Sequence, residues 1–343
     1  MRKLLIIRFS ALGDVALLVP VVQMLADFYP EWDITVLSRK MCEPLFSAMP
    51  ENVHFVGADL KGRHHGRKGL ETLLQEIDYR SFDRVADMHV VLRSFYLTMR
   101  MLFAGKRIAW IHKAHFSKWL MVHGLLPARK PLVTTYKRYQ HAFNRLGFDI
   151  HISPTDDNPI PPAPGQQTLS PDSPLPSIGI APFAAHRGKI YPLEKMEKVV
   201  EALSRYFYPK GVTVYLFGAG KEEQQILERW QHKMTGVVSL AGQHHMADEI
   251  AIMRRLKLLL TMDSANMHLA SLAGTRVLSV WGATHPALGF LGFGQHRPDC
   301  IQRDLPCRPC SVFGKKPCKY GDYRCMDIPP QTIVERVKQA YYE

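Results

Sequence analysis

Apolar and polar positions along the chain spell short buried strands separated by helices. Leu4–Ile7, Ile34–Leu37, Val53–Val56 and Val85–Met88 are brief apolar runs of the kind that form strands covered on both faces. Between them apolar residues recur at helical spacing. Val15, Leu18, Val19, Val22 and Leu25 make one stripe, and Glu71–Ile77 and Arg93–Phe103 read as further helices. Tyr29-Pro30 ends the first of these, and Pro20 should kink it or split it in two. The pattern restarts in the second half with strands at Ser177–Ala181, Val212–Phe217, Leu258–Met262 and Val277–Trp281. Helices are expected at Leu193–Tyr206, Lys221–Trp230 and Ala265–Ala273, with a final amphipathic one over Thr332–Tyr342. Alternating strands and helices predict an α/β fold of doubly wound parallel sheets.

A chain of 343 residues is long for a single core and suggests two domains. Eight prolines between Pro154 and Pro176 leave no room for a helix or a central strand. The expected organisation is a Rossmann-like domain over 1–153, a linker over 154–176 and a second Rossmann-like domain over 177–326. A terminal helix, 327–343, could pack back on the first domain. Two such halves predict ligand binding in the cleft between them, over the carboxyl ends of both sheets.

Composition narrows the function. Hydrophobic content of 46% and 22% charged residues are those of an ordinary globular protein, and no apolar run reaches the roughly 20 residues that span a bilayer. Arg8 and Asp14 interrupt the apolar N-terminal stretch, which argues against a signal peptide. The net charge of +13 is compatible with nucleic acid, an anionic membrane surface, anionic small substrates or a merely basic solvated surface. The absence of a recognition-helix, RNP or zinc-finger pattern argues against nucleic acid. Of six cysteines, Cys307, Cys310, Cys318 and Cys325 are spaced C-x2-C-x7-C-x6-C. The first pair has ligand spacing, but the wider second spacing and the neighbours Arg308, Lys315, Lys316 and Lys319 lead to the expectation of no bound zinc.

Four loops at carboxyl ends of predicted strands carry candidate chemistry. Ser10–Asp14 follows the first strand; Gly13 permits close backbone approach, and Asp14 is either a general base or a helix cap. Pro182–Pro192 offers His186, Arg187 and Lys189 to a diphosphate, or is an exposed basic loop. Phe217–Glu222 resembles a P-loop but lacks its first glycine and its hydroxyl residue, so it reads as a strand-turn-helix in which Glu222 can bond a ribose. Asp263–His268, where Asp263 and Ser264 are both good N-caps and His268 projects from the same face, is either a helix start whose free N–H groups and dipole suit a phosphate or an ordinary helix start with a satisfied histidine.

Taken together, LLIIRFSALGDVALLVPVVQML, HRGKIYP and TMDSANMHLASLAGTRVLSVWGATHP closely resemble the lipopolysaccharide heptosyltransferases, glycosyltransferase family nine, over nearly the whole chain. The resemblance implies a GT-B fold and an inverting transfer with no cofactor and no catalytic metal. It implies an ADP-heptose donor, a lipopolysaccharide-core acceptor, and work in the cytoplasm at the anionic inner membrane surface. By position it makes Asp14 the catalytic base and Lys189, Glu222, Asp263, Ser264, Ala265, His268 and Thr284 donor-side residues; Lys189 is expected to be catalytic too, and Gly13, His186, Arg187 and Gly218, read from their loops, to join the donor-binding set. The basic loops, through Lys61, Arg63, Arg67, Lys68 and Arg93, would meet the acceptor. Ala184 and Ala185 replace hydroxyl residues found in some members, and Tyr191 a common Trp, which bears on the donor sugar. The alternatives are a GT-B transferase or epimerase using another nucleotide sugar, and a basic nucleic-acid-binding protein with a degenerate transferase fold.

Overall fold

The computed structural model describes residues 2–153 and 177–343; the Pro-rich stretch 154–176 lies outside them. Among the described residues, 2–113 with 134–153 form one unit and 114–133 with 177–343 a second. Each is built on its own parallel sheet.

In the first unit the strand order is β3 (Val53–Ala58), β2 (Trp32–Arg39), β1 (Arg2–Ile7), β4 (Arg84–Asp87) and β5 (Arg107–Trp110). Strand β1 pairs in parallel with β2 and β4, and its Leu4–Ile7 run is wholly buried, as a strand covered on both faces requires. The chain winds outward from β1 to β3 and then returns to lay β4 on the other side of β1. The order therefore reverses between β1 and β4, and the loops after those two strands flank the point where doubly wound sheets take ligands. Pro20 does split the first helix. The pieces are α1 (Leu12–Ala16) and α2 (Val19–Phe28), with Pro20 in the first turn of α2, where a missing N–H is tolerated. Helices α3 (Gly66–Glu76) and α4 (Leu92–Phe103) cover one face, with Leu73, Leu97 and Met101 packed against Leu5, Ile7 and Val85.

Helix α5 (His115–Val122) falls in the second unit and α6 (Thr135–Arg145) in the first. The second sheet has the order β11 (Cys300–Gln302), β10 (Arg276–Trp281), β9 (Leu258–Met262), β6 (Ser177–Ala181), β7 (Thr213–Leu216) and β8 (Val237–Ser239). Its reversal lies between β6 and β9, both fully buried strands. Helices α7 (Leu193–Phe207), α8 (Lys221–Lys233), α9 (Met246–Arg255) and α10 (Ala265–Leu272) connect the strands.

Two placements differ from the sequence-based boundaries. Residues 114–133 group with the second unit because Met121 packs on Ala287 and Leu288, while Leu132 donates its N–H to Ala287 O at 2.8 Å. The last helix, α11 (Pro330–Tyr342), belongs to the second unit. Its Ile333, Val334 and Val337 complete the second unit's core with Val199 and Leu203 of α7.

Candidate active site

At the reversal point of the second sheet, the loop after β6 contributes Lys189 and the residue after β9 is Asp263. Their side chains meet at 2.8 Å, with Asp263 only 2% exposed. The same oxygen, Oδ2, accepts the hydroxyl of Thr284 from the loop after β10 at 2.7 Å. Two of the residues singled out by sequence, Lys189 and Thr284, thus converge on the carboxylate of a third. Lys189 is held by a 3₁₀ turn over Arg187–Lys189, its N–H donating to His186 O at 2.9 Å. Gly188 lies flat against its neighbours: its carbonyl accepts Ala283 N–H at 2.8 Å, and a Cβ there would sit 2.8 Å from Gly314 O.

Ser264 is the N-cap of α10 in position but not in bonding. Its Oγ lies 3.2 Å from Thr261 Oγ1 and makes no bond to the first turn, which leaves the helix start to an anion. Ala265 opens that turn, and His268 is buried one turn further on. Burial, and then the charges of Lys315 and Lys189, push the His186 pKa down, which favours the neutral ring. Arg187 is exposed and lies over the Tyr323 ring at 5.2 Å. Gly218 packs beside Leu227 and Glu223. Glu222 is exposed in the first turn of α8, and it is Glu223 that accepts the Ala219 N–H, at 2.7 Å.

The sequence reading missed how far the cysteine-rich segment builds this site. Arg308 is buried. It donates to Gly282 O at 2.5 Å, Trp281 O at 3.1 Å and Thr284 O at 3.0 Å, and so fixes the loop bearing Thr284. Gly314, at φ +74°, lies against the Lys189 stem, where a Cβ would approach Cγ to 2.7 Å. Cys307, Cys310, Cys318 and Cys325 are free thiols, and burial raises the pKa of Cys310 and of Cys325. Among the described residues, no group of three or more His, Cys, Asp or Glu is placed to hold a metal ion.

The reversal point of the first sheet carries a second polar cluster. Asp14 is the third residue of α1, behind the buried Gly13, and so is not the N-cap, which is Ala11. Its carboxylate pairs with the Arg8 guanidinium at 2.6 Å and takes the Ala11 N–H at 3.4 Å, while its carbonyl accepts the Tyr139 hydroxyl at 2.9 Å. Arg8 is buried and also donates to Met88 O. After β4, fully buried Asp87 accepts the N–H groups of His89 and Val90 at 2.8 and 2.7 Å. These bonds hold Val90 at φ +49°, a costly conformation for a β-branched residue, and Lys113 Nζ reinforces it by donating to Val90 O at 2.9 Å.

The turn presents His89, whose Nε2 is 3.1 Å from Ser10 Oγ. Burial, with Arg8 and Lys113 next, pushes the His89 pKa down to about 3, so the ring is neutral at physiological pH. His89, Asp87 and Lys113 were missed because the two loops that carry them, after β4 and after β5, lack glycine. Their place at the carboxyl ends of β4 and β5, beside the Arg8–Asp14 loop, was the available signal. Lys61, Arg63, Arg67, Lys68 and Arg93 are all exposed, and Arg63 is paired with Glu76.

Two parallel Rossmann-like sheets in one chain, each with polar residues at its reversal point, are the GT-B architecture of glycosyltransferases. The description "Glycosyltransferase family 9 (heptosyltransferase)" matches residues 71–321, and the chain belongs to that family. It is 26% identical to lipooligosaccharide heptosyltransferase 2 of Haemophilus influenzae, over 98% of this chain and 99% of that one. A family 9 glycosyl transferase from Veillonella parvula superposes with a TM-score of 0.73 at 18% identity, covering 99% of this chain and 97% of the other. The ADP-heptose lipopolysaccharide heptosyltransferase II of E. coli does so with 0.65 at 20%, covering 100% and 99%.

Proposed function

We propose that this glycosyltransferase moves a heptose from ADP-heptose to the core of lipopolysaccharide, with inversion at the sugar carbon and without a metal. The observation that carries the reading is the Lys189–Asp263–Thr284 constellation beside the start of α10. A cation and a helix N-terminus suit a diphosphate, and a buried carboxylate suits sugar hydroxyls. The names of the relatives supply the sugar, the nucleotide and the acceptor.

In this reading Asp14 takes the proton of the acceptor hydroxyl as its oxygen attacks the anomeric carbon. The bond from that carbon to the diphosphate oxygen breaks on the opposite side, and ADP leaves with the electron pair. Lys189, Arg187 and the α10 start stabilise the departing charge, as Mg²⁺ does in metal-dependent transferases. His186 gains a proton as the diphosphate raises its pKa. Gly13, Gly218, Glu222, Ala265 and His268 complete the donor contacts, and the exposed basic residues from Lys61 to Arg93 meet acidic core sugars. The enzyme works in the cytoplasm, against the anionic face of the inner membrane.

Nucleotide release is the direct test, measured with ADP-heptose and with UDP- and GDP-sugars on a heptose-deficient lipopolysaccharide core, with and without EDTA. ADP-heptose alone should support turnover, EDTA should leave it intact, and the product should have the opposite anomeric configuration. Turnover with a UDP-sugar and none with ADP-heptose would overturn the donor assignment.

A further inference from the structure

We propose that the outward face of α4 is a docking surface for an anionic phospholipid bilayer, with its apolar side chains entering the lipid interface. Helix α4 has two apolar faces. Ser94, Leu97, Thr98 and Met101 are buried on the sheet side. On the other side Leu92 is 89% exposed, Phe95 47%, Leu102 40% and Phe103 84%. At 100° per residue these four fall within about 100° of arc, so they make one continuous stripe rather than scattered surface residues. A helix with an apolar solvent-facing stripe and a cationic border is the form that lies in a membrane interface.

Charge identifies the occupant. Within the first unit, residues 88–113 around α4 contain five Lys and Arg, and not one of the chain's 31 Asp and Glu. Arg93 and Arg100 border the stripe, and Lys106 and Arg107 follow its last turn. Across the strand pair, Arg107 stands in register with Arg84. The carboxylate of Glu71, on neighbouring α3, is already bonded to Arg100 and Tyr96. A second copy of this chain would bring the same cations to the contact and be repelled, whereas a surface of anionic headgroups attracts them. The surface deepens the reading given above, in which the acceptor is carried on a lipid, but its binding to vesicles does not depend on that reading.

Flotation of the full chain with vesicles tests this, using about 30% phosphatidylglycerol in phosphatidylethanolamine and, separately, pure phosphatidylcholine. The wild type should float with the anionic vesicles, lose most of that binding in about 0.5 M salt, and bind the neutral ones weakly. Leu92→Gln with Phe103→Gln should weaken binding at least about tenfold, since two exposed apolar anchors are removed. The melting temperature and turnover on a delipidated, soluble acceptor should stay at wild-type values. Phe103→Gln alone serves if the double variant melts early, with a loss of at least about threefold expected. A wild type that does not float, or a variant that floats equally well, overturns the assignment. So does a wild-type dimer that the substitutions convert to monomer. Loss of turnover on every acceptor by the wild type would instead sink the proposed reaction and leave the flotation result standing.

Discussion

At the scale of single residues, the two ionic contacts of the candidate site make different forecasts. Asp14 is neither a bare base nor a simple cap, because its carboxylate is the counter-ion of buried Arg8. Asp14→Asn keeps the side-chain shape but leaves that guanidinium short of a charge, so it should cost about 1–3 kcal/mol of stability. Assayed well below its melting point, the folded variant should still lose at least about a hundredfold in turnover, since an amide cannot take the acceptor's proton. Near wild-type turnover in the folded variant would reduce Asp14 to a structural partner of Arg8. Lys189→Ala acts on the other contact. It removes the salt-bridge partner of the buried Asp263 carboxylate, which keeps the hydrogen bond from Thr284, and removes the charge proposed to meet the leaving diphosphate. Turnover should fall by roughly 2–4 kcal/mol in transition-state terms, and ADP affinity should fall with it. Unchanged steady-state kinetics with ADP-heptose would return Lys189 to a purely structural pairing.

At the scale of elements, what was legible depended on length and on where the apolar residues fell. The runs LLII at Leu4 and LLLTM at Leu258 announce central strands because burial on both faces permits no polar alternation. The same pattern, with SIGIA at Ser177, marks the loops that follow these strands, so Asp14, Lys189 and Asp263 could be singled out as candidates without coordinates. Strands β5, β8 and β11, of three or four residues, are too short for periodicity to register, and α6, with Lys137, Arg138 and Arg145, dilutes its buried Tyr139 and Phe143 with charge. Arg308 was illegible for another reason: its bonds reach 24 to 27 residues back in the chain, which no local spacing records. Helix α9 offers a test at this scale. In its first turn burial pushes the Glu249 pKa up to about 7, with Asp248 adding to the effect. The folded chain therefore holds this proton more tightly than the unfolded one. The associated stability is full at acid pH and is lost as pH rises from about 4 to about 7. Glu249→Gln should match wild type near pH 4 and exceed it near pH 8 by about 1–2 kcal/mol, allowing for partial exposure. Equal unfolding midpoints at the two pH values would show the carboxylate to be solvated.

At the scale of the whole molecule, each unit has its own sheet and core, and α11 closes the second. Two such cores need not unfold together. If ADP is held by the second unit, as proposed, calorimetry at about 100 times its Kd should stabilise that unit's transition by about 2.7 kcal/mol. A separate first-unit transition should stay where it was; an ADP shift confined to the first unit would reverse the division of labour. The hydrogen bonds from Arg308 to the Trp281–Thr284 loop, and the packing of Gly314 on Lys189, also bear on synthesis. A ribosome delivers every proposed donor residue by Thr284, but the segment that braces them comes later. A nascent chain passes through an interval in which the chemistry is present and its support is not. A message that stops between Thr284 and Arg308 should therefore yield a protein with its full complement of donor residues and no ability to hold a sugar nucleotide.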